Sequence, residues 1–364
     1  MNGLVLLGNR TAEVHDFSDP EPGPGEVRIR VQCAGICGSD LHYYRSTPQD
    51  LGIRRGVVIG HEPSGVIDAV GVGCRMVREG DRVTVNHTIG CGRCEYCRRG
   101  ETVLCGENLG IAARGRGGDA DYVVLPEENV YPLPDHLSVR DGAFLACTGA
   151  TAWGALGKLA LSGGRSVAVF GLGPVGLSGV LLAKGLGLRV IAVDVNPQRI
   201  AFAEDLGADH TVLATGAGSA GTTPGDATPT GGAPSPASSS VAAAIRERTG
   251  GRGADGSFET SGSASGQRDA VMSLGQRGRA VFVGLSDGLP TISPEMIIHR
   301  ELTLLGSKVL PGPEVLSLCR FLGETEIHFD SLVTHAYPLS EGPRAFKEFD
   351  DGAAGKFVLD VAPS

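Results

Sequence analysis

Four cysteines in one short stretch have the spacing of a metal site. Cys91, Cys94, Cys97 and Cys105 form the pattern C-x2-C-x2-C-x7-C. Four thiolates this close on a turn-rich loop suit a closed tetrahedral zinc site, which clamps a lobe that lacks its own core. An iron–sulfur cluster and four unrelated buried thiols are the alternatives. Four cysteine ligands fill the coordination positions of the zinc and leave none for substrate. We therefore expect this zinc to be structural, in a lobe of about residues 90–106.

Three other residues together suit a second, catalytic metal site. Cys37 begins C-G-S-D-L-H, His61 lies in G-H-E, and Cys147 lies in L-A-C-T-G-A-T. A catalytic zinc needs three protein ligands and one open position, and two cysteines with one histidine are an established set. Each residue taken alone is more often a core or surface residue. The prediction of a catalytic zinc therefore depends on their occurring together.

A glycine-rich turn predicts a dinucleotide site. The segment V-A-V-F-G-L-G-P-V-G follows the strand pattern and opens a helix pattern, and its turn residues are Gly171, Gly173, Pro174, Val175 and Gly176. Asp194 lies 23 residues after Gly171, where a carboxylate accepts hydrogen bonds from the adenosine ribose and repels a 2′-phosphate. NAD is therefore favoured over NADP. Arg199 either receives such a phosphate or is a solvated helix residue.

The motifs, which extend over nearly the whole chain, resemble those of the zinc-containing medium-chain dehydrogenases, the family of alcohol, sorbitol, butanediol and threonine dehydrogenases. The resemblance implies Cys37, His61 and Cys147 as ligands of the catalytic zinc. Polyol-type members usually have Glu-Pro where this chain has Cys147 and Thr148, which favours the simple alcohol dehydrogenases. The stretch C-G-S-D-L-H-Y-Y looks more like the polyol and diol branch, so the substrate subclass stays open.

The resemblance also implies roles for residues around that zinc. Ser39 would be the hydroxyl that contacts the substrate oxygen, and His42 the outer member of a proton relay. Asp40 would orient His61 through its other ring nitrogen. Glu62 would be an alternating or outer partner of the zinc.

Two further residues match family positions near the cofactor. Thr151 stands where a small side chain packs near the nicotinamide, and is otherwise a core residue. Lys356, in A-G-K-F-V-L, stands where a side chain approaches the pyrophosphate, and is otherwise a surface lysine.

The reaction that the resemblance implies is reversible hydride transfer between a primary or secondary alcohol and NAD, which forms an aldehyde or ketone. We expect two zinc ions per chain. A polyol, diol or amino-alcohol dehydrogenase and a biosynthetic carbonyl reductase are alternatives within the family. The non-enzymatic alternative is a regulatory relative that binds a nucleotide and catalyses no reaction.

The elements that must position these residues indicate an α/β fold with two domains. Residues 1–148 have short β-branched runs and are expected to form a GroES-like catalytic domain, to which residues 309–364 return. Residues 149–308 alternate strands and helices, as in a Rossmann domain with a doubly wound parallel sheet. The elements predicted there are Ser166–Phe170, Pro174–Leu186, Arg189–Asp194, Pro197–Leu206, His210–Leu213, Val241–Thr249, Gly256–Glu259, Ala280–Gly284 and Leu302–Gly306.

A spacer interrupts the Rossmann pattern at residues 214–240. It contains only Ala, Gly, Ser, Thr, Pro and one Asp, so it cannot bury apolar area and is expected to lack fixed structure. We expect it to be dispensable for folding.

Charge and composition limit the partners to small molecules and further copies of the chain. The formal net charge is −9, which argues against nucleic acid. The apolar opening is too short to span a membrane, and nine cysteines without a secretory signal favour metal binding in the cytoplasm. The apolar strand Leu302–Gly306 resembles the edge through which family sheets pair, which predicts a homodimer or homotetramer.

Overall fold

The computed structural model describes residues 1–52, 55–114, 116–214, 240–285, 290 and 292–361. The chain divides into two compact units. The first comprises Met1–Gly154, Gly173–Ser178 and Lys308–Ser364, and the second comprises Ala155–Leu172 and Gly179–Ser307. The domain limits expected at residues 148 and 308 stay predictions. Most of the predicted spacer, residues 215–239, lies outside the described residues.

The strands are β1 Asn2–Gly8, β2 Thr11–Asp16, β3 Glu26–Gly35, β4 Pro63–Val70, β5 Arg82–Val85, β6 Thr88–Ile89, β7 Leu109–Gly110, β8 Tyr122–Pro126, β9 Val130–Pro132, β10 Ser166–Phe170, β11 Arg189–Asp194, β12 His210–Leu213, β13 Ala254–Glu259, β14 Leu274–Phe282, β15 Thr303–Gly306, β16 Val333–Pro338 and β17 Lys356–Asp360. The helices are α1 Gly38–Arg45, α2 Pro48–Leu51, α3 Glu95–Arg98, α4 Val139–Ala146, α5 Thr148–Leu159, α6 Pro174–Gly185, α7 Pro197–Asp205, α8 Ser240–Arg248, α9 Ala264–Met272, α10 Pro294–Arg300, α11 Val315–Thr325 and α12 Gly342–Asp350.

The first unit is built on a seven-stranded sheet. Its order is β16-β17-β3-β4-β5-β9, and β8 also pairs with β3. Along most of β3 buried positions alternate with half-buried ones, because one face of the strand packs on a core. That core includes Leu4, Ile29 and Phe357. Since β17 pairs with the end of β3, the sheet places the start of β17 close to the loop that follows β3.

The second unit is a six-stranded sheet in the order β12-β11-β10-β13-β14-β15. All its pairs are parallel. In chain order these are its third, second, first, fourth, fifth and sixth strands, which is the doubly wound order of a dinucleotide-binding sheet. Every residue of β10 is buried, as expected for a parallel strand covered on both faces. The parallel sheet predicted from the sequence is therefore present.

One strand of this sheet is longer than predicted. β14 begins at Leu274, six residues before the predicted start at Ala280. Gln276 and Arg277 are exposed within it, so the first half of the strand lacks the apolar run that the sequence pattern requires. Pairing with β13 holds this segment in a strand conformation that the local sequence does not predict.

The last strand, β15, ends the sheet. In the described part of the chain it pairs with β14 and with no other strand. Its position at an edge agrees with the prediction, whereas association of subunits through it stays a prediction. No helix within the described ranges is long and apolar enough to cross a membrane.

Candidate metal centre and active site

The first metal-ligand candidate, Cys37, follows β3 and immediately precedes α1. Its backbone N–H donates to Oδ2 of Asp40 at 2.9 Å. Oδ1 of the same carboxylate lies 3.0 Å from Nδ1 of His61. Because the carboxylate occupies Nδ1, Nε2 of His61 is left for a metal. Asp40 thus links two candidate ligands, and its contact with Nδ1 of His61 is the one that the family resemblance implied.

The ligand atoms of four residues converge in the first unit. Those of Cys37, His61, Glu62 and Cys147 all lie within 4.8 Å of one another. His61 and Glu62 immediately precede β4, and Cys147 lies between α4 and α5. Bond lengths to zinc of about 2.3 Å for sulfur and about 2.0 Å for nitrogen place tetrahedral ligands about 3 to 4 Å apart. The donor set and its spacing therefore fit zinc.

The electrostatics of this cluster favour different protonation states for its members. A hydrogen bond from the Cys147 thiol holds the pKa of Cys37 well below its ordinary value, with further help from His61. The same hydrogen bond, together with burial, raises the pKa of Cys147. Burial acts to lower the pKa of His61, but the charges of Asp40 and Cys147 and the hydrogen bonds to them together raise it well above its ordinary value. Zinc binding must therefore displace protons from the cluster.

Glu62 is held by two buried neighbours. Oγ of Thr148 donates to its Oε1 at 2.5 Å, and Nζ of Lys356 donates to its Oε2 at 2.5 Å. Lys356 also donates to Thr148 at 2.9 Å. Burial raises the pKa of Glu62 to about 7 against the opposing charge of Lys356. Burial acts to lower the pKa of Lys356, yet the charges of Glu62, Cys37 and Cys147, with the hydrogen bond to Glu62, together leave it raised.

Lys356 has no exposed surface, so the alternative that it is a surface lysine is wrong. The reason is the pairing of β17 with β3, which draws the amine to Glu62. Its contact with a cofactor pyrophosphate stays a prediction.

The four-cysteine cluster forms a separate group around α3. The ligand atoms of Cys91, Cys94, Cys97 and Cys105 lie within 4.8 Å of one another, and the sulfur atoms of Cys91 and Cys97 are 4.0 Å apart. Hydrogen bonds from the backbone N–H groups of Arg93 and Cys94 lower the pKa of Cys91 to about 6. Burial raises the pKa of Cys97 to about 12. Four sulfur donors at this spacing fit a closed zinc site.

A cavity of about 320 Å³ opens beside His61 in the first unit. Its lining residues are Leu6, Ser39, Asp40, Tyr43, Leu51, Val57, Ile59, His61, His87, Asn108, Leu109, Gly110 and Ala112. Ser39 is an exposed residue of α1, and its contact with substrate stays a prediction. His42 is also exposed on α1, and its ring meets that of Tyr43 edge to face at 5.9 Å.

Two residues near the site were not singled out from the sequence. His87 lines the cavity, and its ring lies 5.0 Å from that of His61. Burial, with the nearby charge of His61, lowers the pKa of His87 to about 4. Asp119 is fully buried, and among the described residues neither carboxylate oxygen has a hydrogen-bond partner. Burial raises the pKa of Asp119 well above its ordinary value, and the charge of Asp40 adds to this.

The candidate cofactor residues lie in both units. In the second unit, Gly171 has φ +84°, and an added Cβ would lie 2.7 Å from the Ser261 nitrogen, so only glycine suits this turn. Asp194 ends β11 and accepts hydrogen bonds from the backbone N–H groups of Leu172 at 2.6 Å and Asn196 at 2.8 Å. The guanidinium of Arg199 lies 4.0 Å from its carboxylate.

In the first unit, the remaining turn residues lead into α6, which begins at Pro174. Gly173, Pro174 and Val175 are half-buried and Gly176 is buried. Thr151 is buried on α5, where its N–H donates to the Cys147 carbonyl at 2.7 Å. It thereby lies next to a candidate metal ligand, whereas its contact with nicotinamide stays a prediction.

Comparison with known proteins places the chain in a family. Residues 23–135 match the alcohol dehydrogenase GroES-like domain, and residues 174–319 match the zinc-binding dehydrogenase domain. An uncharacterized zinc-type alcohol dehydrogenase-like protein of Escherichia coli K12 is 36% identical over 99% of this chain and 98% of its own. Sorbitol dehydrogenase of Halalkalibacterium halodurans is 30% identical over 99% of each chain. The solved alcohol dehydrogenase of Thermus sp. ATN1 matches over 100% of both chains, at a TM-score of 0.84 and 29% identity.

The chain therefore belongs to the zinc-dependent medium-chain dehydrogenase family, with a GroES-like part and a Rossmann part. It is an oxidoreductase that transfers a hydride between an alcohol and a nicotinamide cofactor. The family, the fold class and the enzymatic activity predicted from the motifs are confirmed.

Proposed function

We propose that this enzyme is an NAD-dependent alcohol dehydrogenase whose catalytic zinc is held by Cys37, His61 and Cys147. The observation that carries the proposal is the convergence of these ligand atoms within 4.8 Å, on the wall of a cavity that His61 itself lines. Three protein ligands leave the fourth coordination position of the zinc free for substrate, as catalytic zinc sites require. When bound, zinc would act as a Lewis acid on the substrate hydroxyl, and NAD would take up the hydride.

The protein groups around the substrate move its proton. Ser39 lines the same cavity as His61, so its hydroxyl takes the proton of the substrate hydroxyl and releases its own toward solvent. His42 is exposed one turn further along α1, where its ring can exchange a proton with water. Asp40 holds His61 in one orientation through Nδ1.

Glu62 has the position of an outer partner to the metal. Its two oxygens accept hydrogen bonds from Thr148 and Lys356. The carboxylate therefore faces these two side chains, although it lies next to the three proposed zinc ligands. We propose that it acts electrostatically on the catalytic zinc, and that a second zinc at Cys91, Cys94, Cys97 and Cys105 is structural.

Asp194 supports NAD over NADP. It ends β11, at the carboxyl edge of a doubly wound sheet where such an acid meets the adenosine ribose. Asp194 is 7% exposed, and its carboxylate would repel a 2′-phosphate. Arg199 lies beside it and weakens that repulsion without removing it.

We further propose a homodimer or homotetramer that works in the cytoplasm. The edge position of β15 supports pairing of sheets across a two-fold axis, because an unpaired apolar edge invites association. Light scattering at micromolar concentration measures the assembly, and a monomer would contradict it.

The function is tested with zinc-loaded protein, NAD and a panel of primary alcohols, secondary alcohols, diols and amino alcohols. We expect NADH to form with at least one class and to form more slowly when NADP replaces NAD. A protein that holds zinc and binds NAD, yet oxidises no member of the panel and reduces none of the corresponding carbonyls, would contradict the proposal.

A further inference from the structure

We propose that Glu259 is a positioning residue for the nicotinamide cofactor: it fixes the loop that follows β13 against the glycine turn and thereby sets the affinity for the dinucleotide. The inference goes beyond the proposed function, because it holds for any alcohol that the enzyme oxidises. Among the described residues, the Glu259 carboxylate is contacted by hydroxyl and backbone N–H donors rather than by a cation. Its role is therefore to hold the backbone and not to pair a charge.

Glu259 ends β13, at the place in the sheet where a dinucleotide binds. β10 is the first strand of this sheet in chain order, and it lies between β11 and β13. Where the strand order of a doubly wound sheet reverses in this way, the loops at the carboxyl ends of the neighbouring strands border the crevice that holds the ligand. Since Glu259 has no exposed surface, it acts on the cofactor through these loops and not by contact.

The Glu259 carboxylate fixes the residues that follow it. Its Oε1 accepts hydrogen bonds from the N–H of Ser261 at 2.8 Å, from the Ser261 hydroxyl at 2.5 Å and from the N–H of Gly262 at 3.1 Å. The Ser261 hydroxyl accepts in turn from the N–H of Ser263 at 3.2 Å. Because one buried oxygen receives three donors, the loop cannot change its conformation without leaving them unpaired.

This loop packs directly on the glycine turn. The Thr260 hydroxyl donates to the carbonyl oxygen of Gly171 at 2.7 Å, and the Thr260 N–H donates to that of Phe170 at 2.8 Å. A Cβ added to Gly171 would lie 2.7 Å from the Ser261 nitrogen, so no side chain separates the two backbones. Since the backbone of such a turn approaches the pyrophosphate closely, a shift of the Ser261 loop would move the groups that receive the cofactor.

Glu259 also holds the loop that follows β14. Its carbonyl oxygen accepts from the N–H groups of Val283 at 2.9 Å and Gly284 at 3.2 Å. A Cβ added to Gly284 would lie 2.2 Å from the Gly262 nitrogen and 2.9 Å from Oε2 of Glu259. The loops that follow the three adjacent strands β10, β13 and β14 are therefore packed around this one residue.

The test measures the dissociation constants of NADH and NADPH by fluorescence titration of the zinc-loaded protein. Glu259→Ala removes the acceptor and leaves the loop donors unpaired, so the dissociation constant of the cofactor that the native enzyme prefers should rise by about 10-fold or more. Glu259→Gln keeps one acceptor oxygen and should stay within about threefold of the native value. A dissociation constant that is unchanged in Glu259→Ala, or that rises equally in Glu259→Gln, would overturn the proposal.

Steady-state kinetics separates positioning of the cofactor from a general effect on folding. In Glu259→Ala the KM for the cofactor should rise with its dissociation constant, whereas the KM for the alcohol should stay within about twofold. A general loss of folded protein would instead lower kcat and leave both KM values unchanged, which would also overturn the proposal.

Glu204→Ala is the matched control. Glu204 is an exposed glutamate of the same unit and also accepts from a hydroxyl, that of Thr211 at 2.7 Å. Its removal should leave the cofactor dissociation constant within about twofold. If Glu204→Ala weakened binding as much as Glu259→Ala, the position of Glu259 at the end of β13 would have no special role.

Ser261→Ala keeps the proposal testable if Glu259→Ala does not fold. It removes only the hydroxyl donor and should raise the dissociation constant by about threefold; no change would overturn the proposal. The titrations need no turnover, so they also separate this inference from the proposed function. If no alcohol is oxidised but Glu259→Ala binds NADH or NADPH more weakly than the native protein, the inference holds although the proposed activity fails.

Discussion

Nζ of Lys356 lies 2.5 Å from Oε2 of Glu62, and neither side chain has any exposed surface. The hydroxyl of Thr148 contacts both charged groups. The two charges come from positions 294 residues apart in the chain. Their burial beside the metal ligands means that each one compensates the desolvation of the other.

Removing one partner of this pair should destabilise the protein. Lys356→Met leaves a buried carboxylate without its cation, and we expect the free energy of unfolding to fall by about 3 to 5 kcal/mol. Lys356→Met combined with Glu62→Gln should recover much of that loss, because no buried charge remains. Denaturant unfolding of the zinc-loaded proteins measures both. The control Lys347→Met, at an exposed position of α12, should change stability by less than about 0.5 kcal/mol; an equally small change in Lys356→Met would contradict the expectation.

The two metal sites should respond differently to loss of one cysteine. Elemental analysis should give two zinc ions in the native protein and one in either Cys147→Ala or Cys94→Ala. Cys147→Ala should stay folded and bind NAD while activity is lost, because the cofactor is held by the Rossmann turn. Cys94→Ala should lower the melting temperature or impair assembly, because its zinc clamps the lobe.

Cys74→Ala provides the control for the metal experiments, since Cys74 belongs to neither cysteine cluster. It should retain two zinc ions and full activity. The opposite pattern, with activity lost in Cys94→Ala and stability lost in Cys147→Ala, would mean that the catalytic and structural assignments are exchanged.

Cofactor choice should depend on the charge of Asp194. The backbone N–H groups of Leu172 and Asn196 bind different oxygens of the carboxylate, so Asp194→Asn retains an acceptor for one of them and removes the charge that opposes a 2′-phosphate. We expect the ratio of kcat/KM for NAD to that for NADP to fall by about 10-fold or more. Steady-state kinetics with both cofactors measures the ratio. If the native enzyme used NADP better than NAD, the proposed role of Asp194 in selecting NAD would be wrong.

Much of the candidate site could be predicted because its signals are local in sequence. The spacing of the four cysteines, the glycine turn before α6, and the acid at the end of β11 each occupy a short segment with a recognisable pattern. The fold of the second unit follows from alternating strands and helices for the same reason. The polar first half of β14 and the helices α9 and α10 were missed.

The residues that escaped prediction depend on packing between distant segments. Nothing near His87 indicates that its ring will lie beside His61, and the burial of Lys356 follows from the pairing of β17 with β3. Asp119 lies in a glycine-rich loop, whose composition predicts an exposed segment. Its burial results from contact with Gly60, where an added Cβ would lie 2.0 Å from Oδ1 of Asp119, a close approach that no local pattern reports.

Asp119 itself should reduce stability at neutral and alkaline pH. Its carboxylate is buried, with no hydrogen-bond partner among the described residues, and burial raises its pKa well above the ordinary value. The folded state therefore holds a proton that the unfolded state has released. Linkage then requires that stability falls as pH rises from the unfolded pKa, about 3.9, to the raised folded pKa, and stays reduced above it.

Asp119→Asn removes this charge at nearly constant volume, so we expect the variant to be more stable than the native protein by about 1 to 3 kcal/mol near pH 8. The gain should shrink as the pH is lowered toward 6, where the native side chain is more fully protonated. Denaturant unfolding across this range, with zinc present, measures it. Asp135→Asn is the control, because the Asp135 side chain is fully exposed and its neutralisation should change stability little at any pH. A gain in Asp119→Asn that is absent, or that grows toward acid pH, would mean that Asp119 is ionised and stabilised in the folded enzyme.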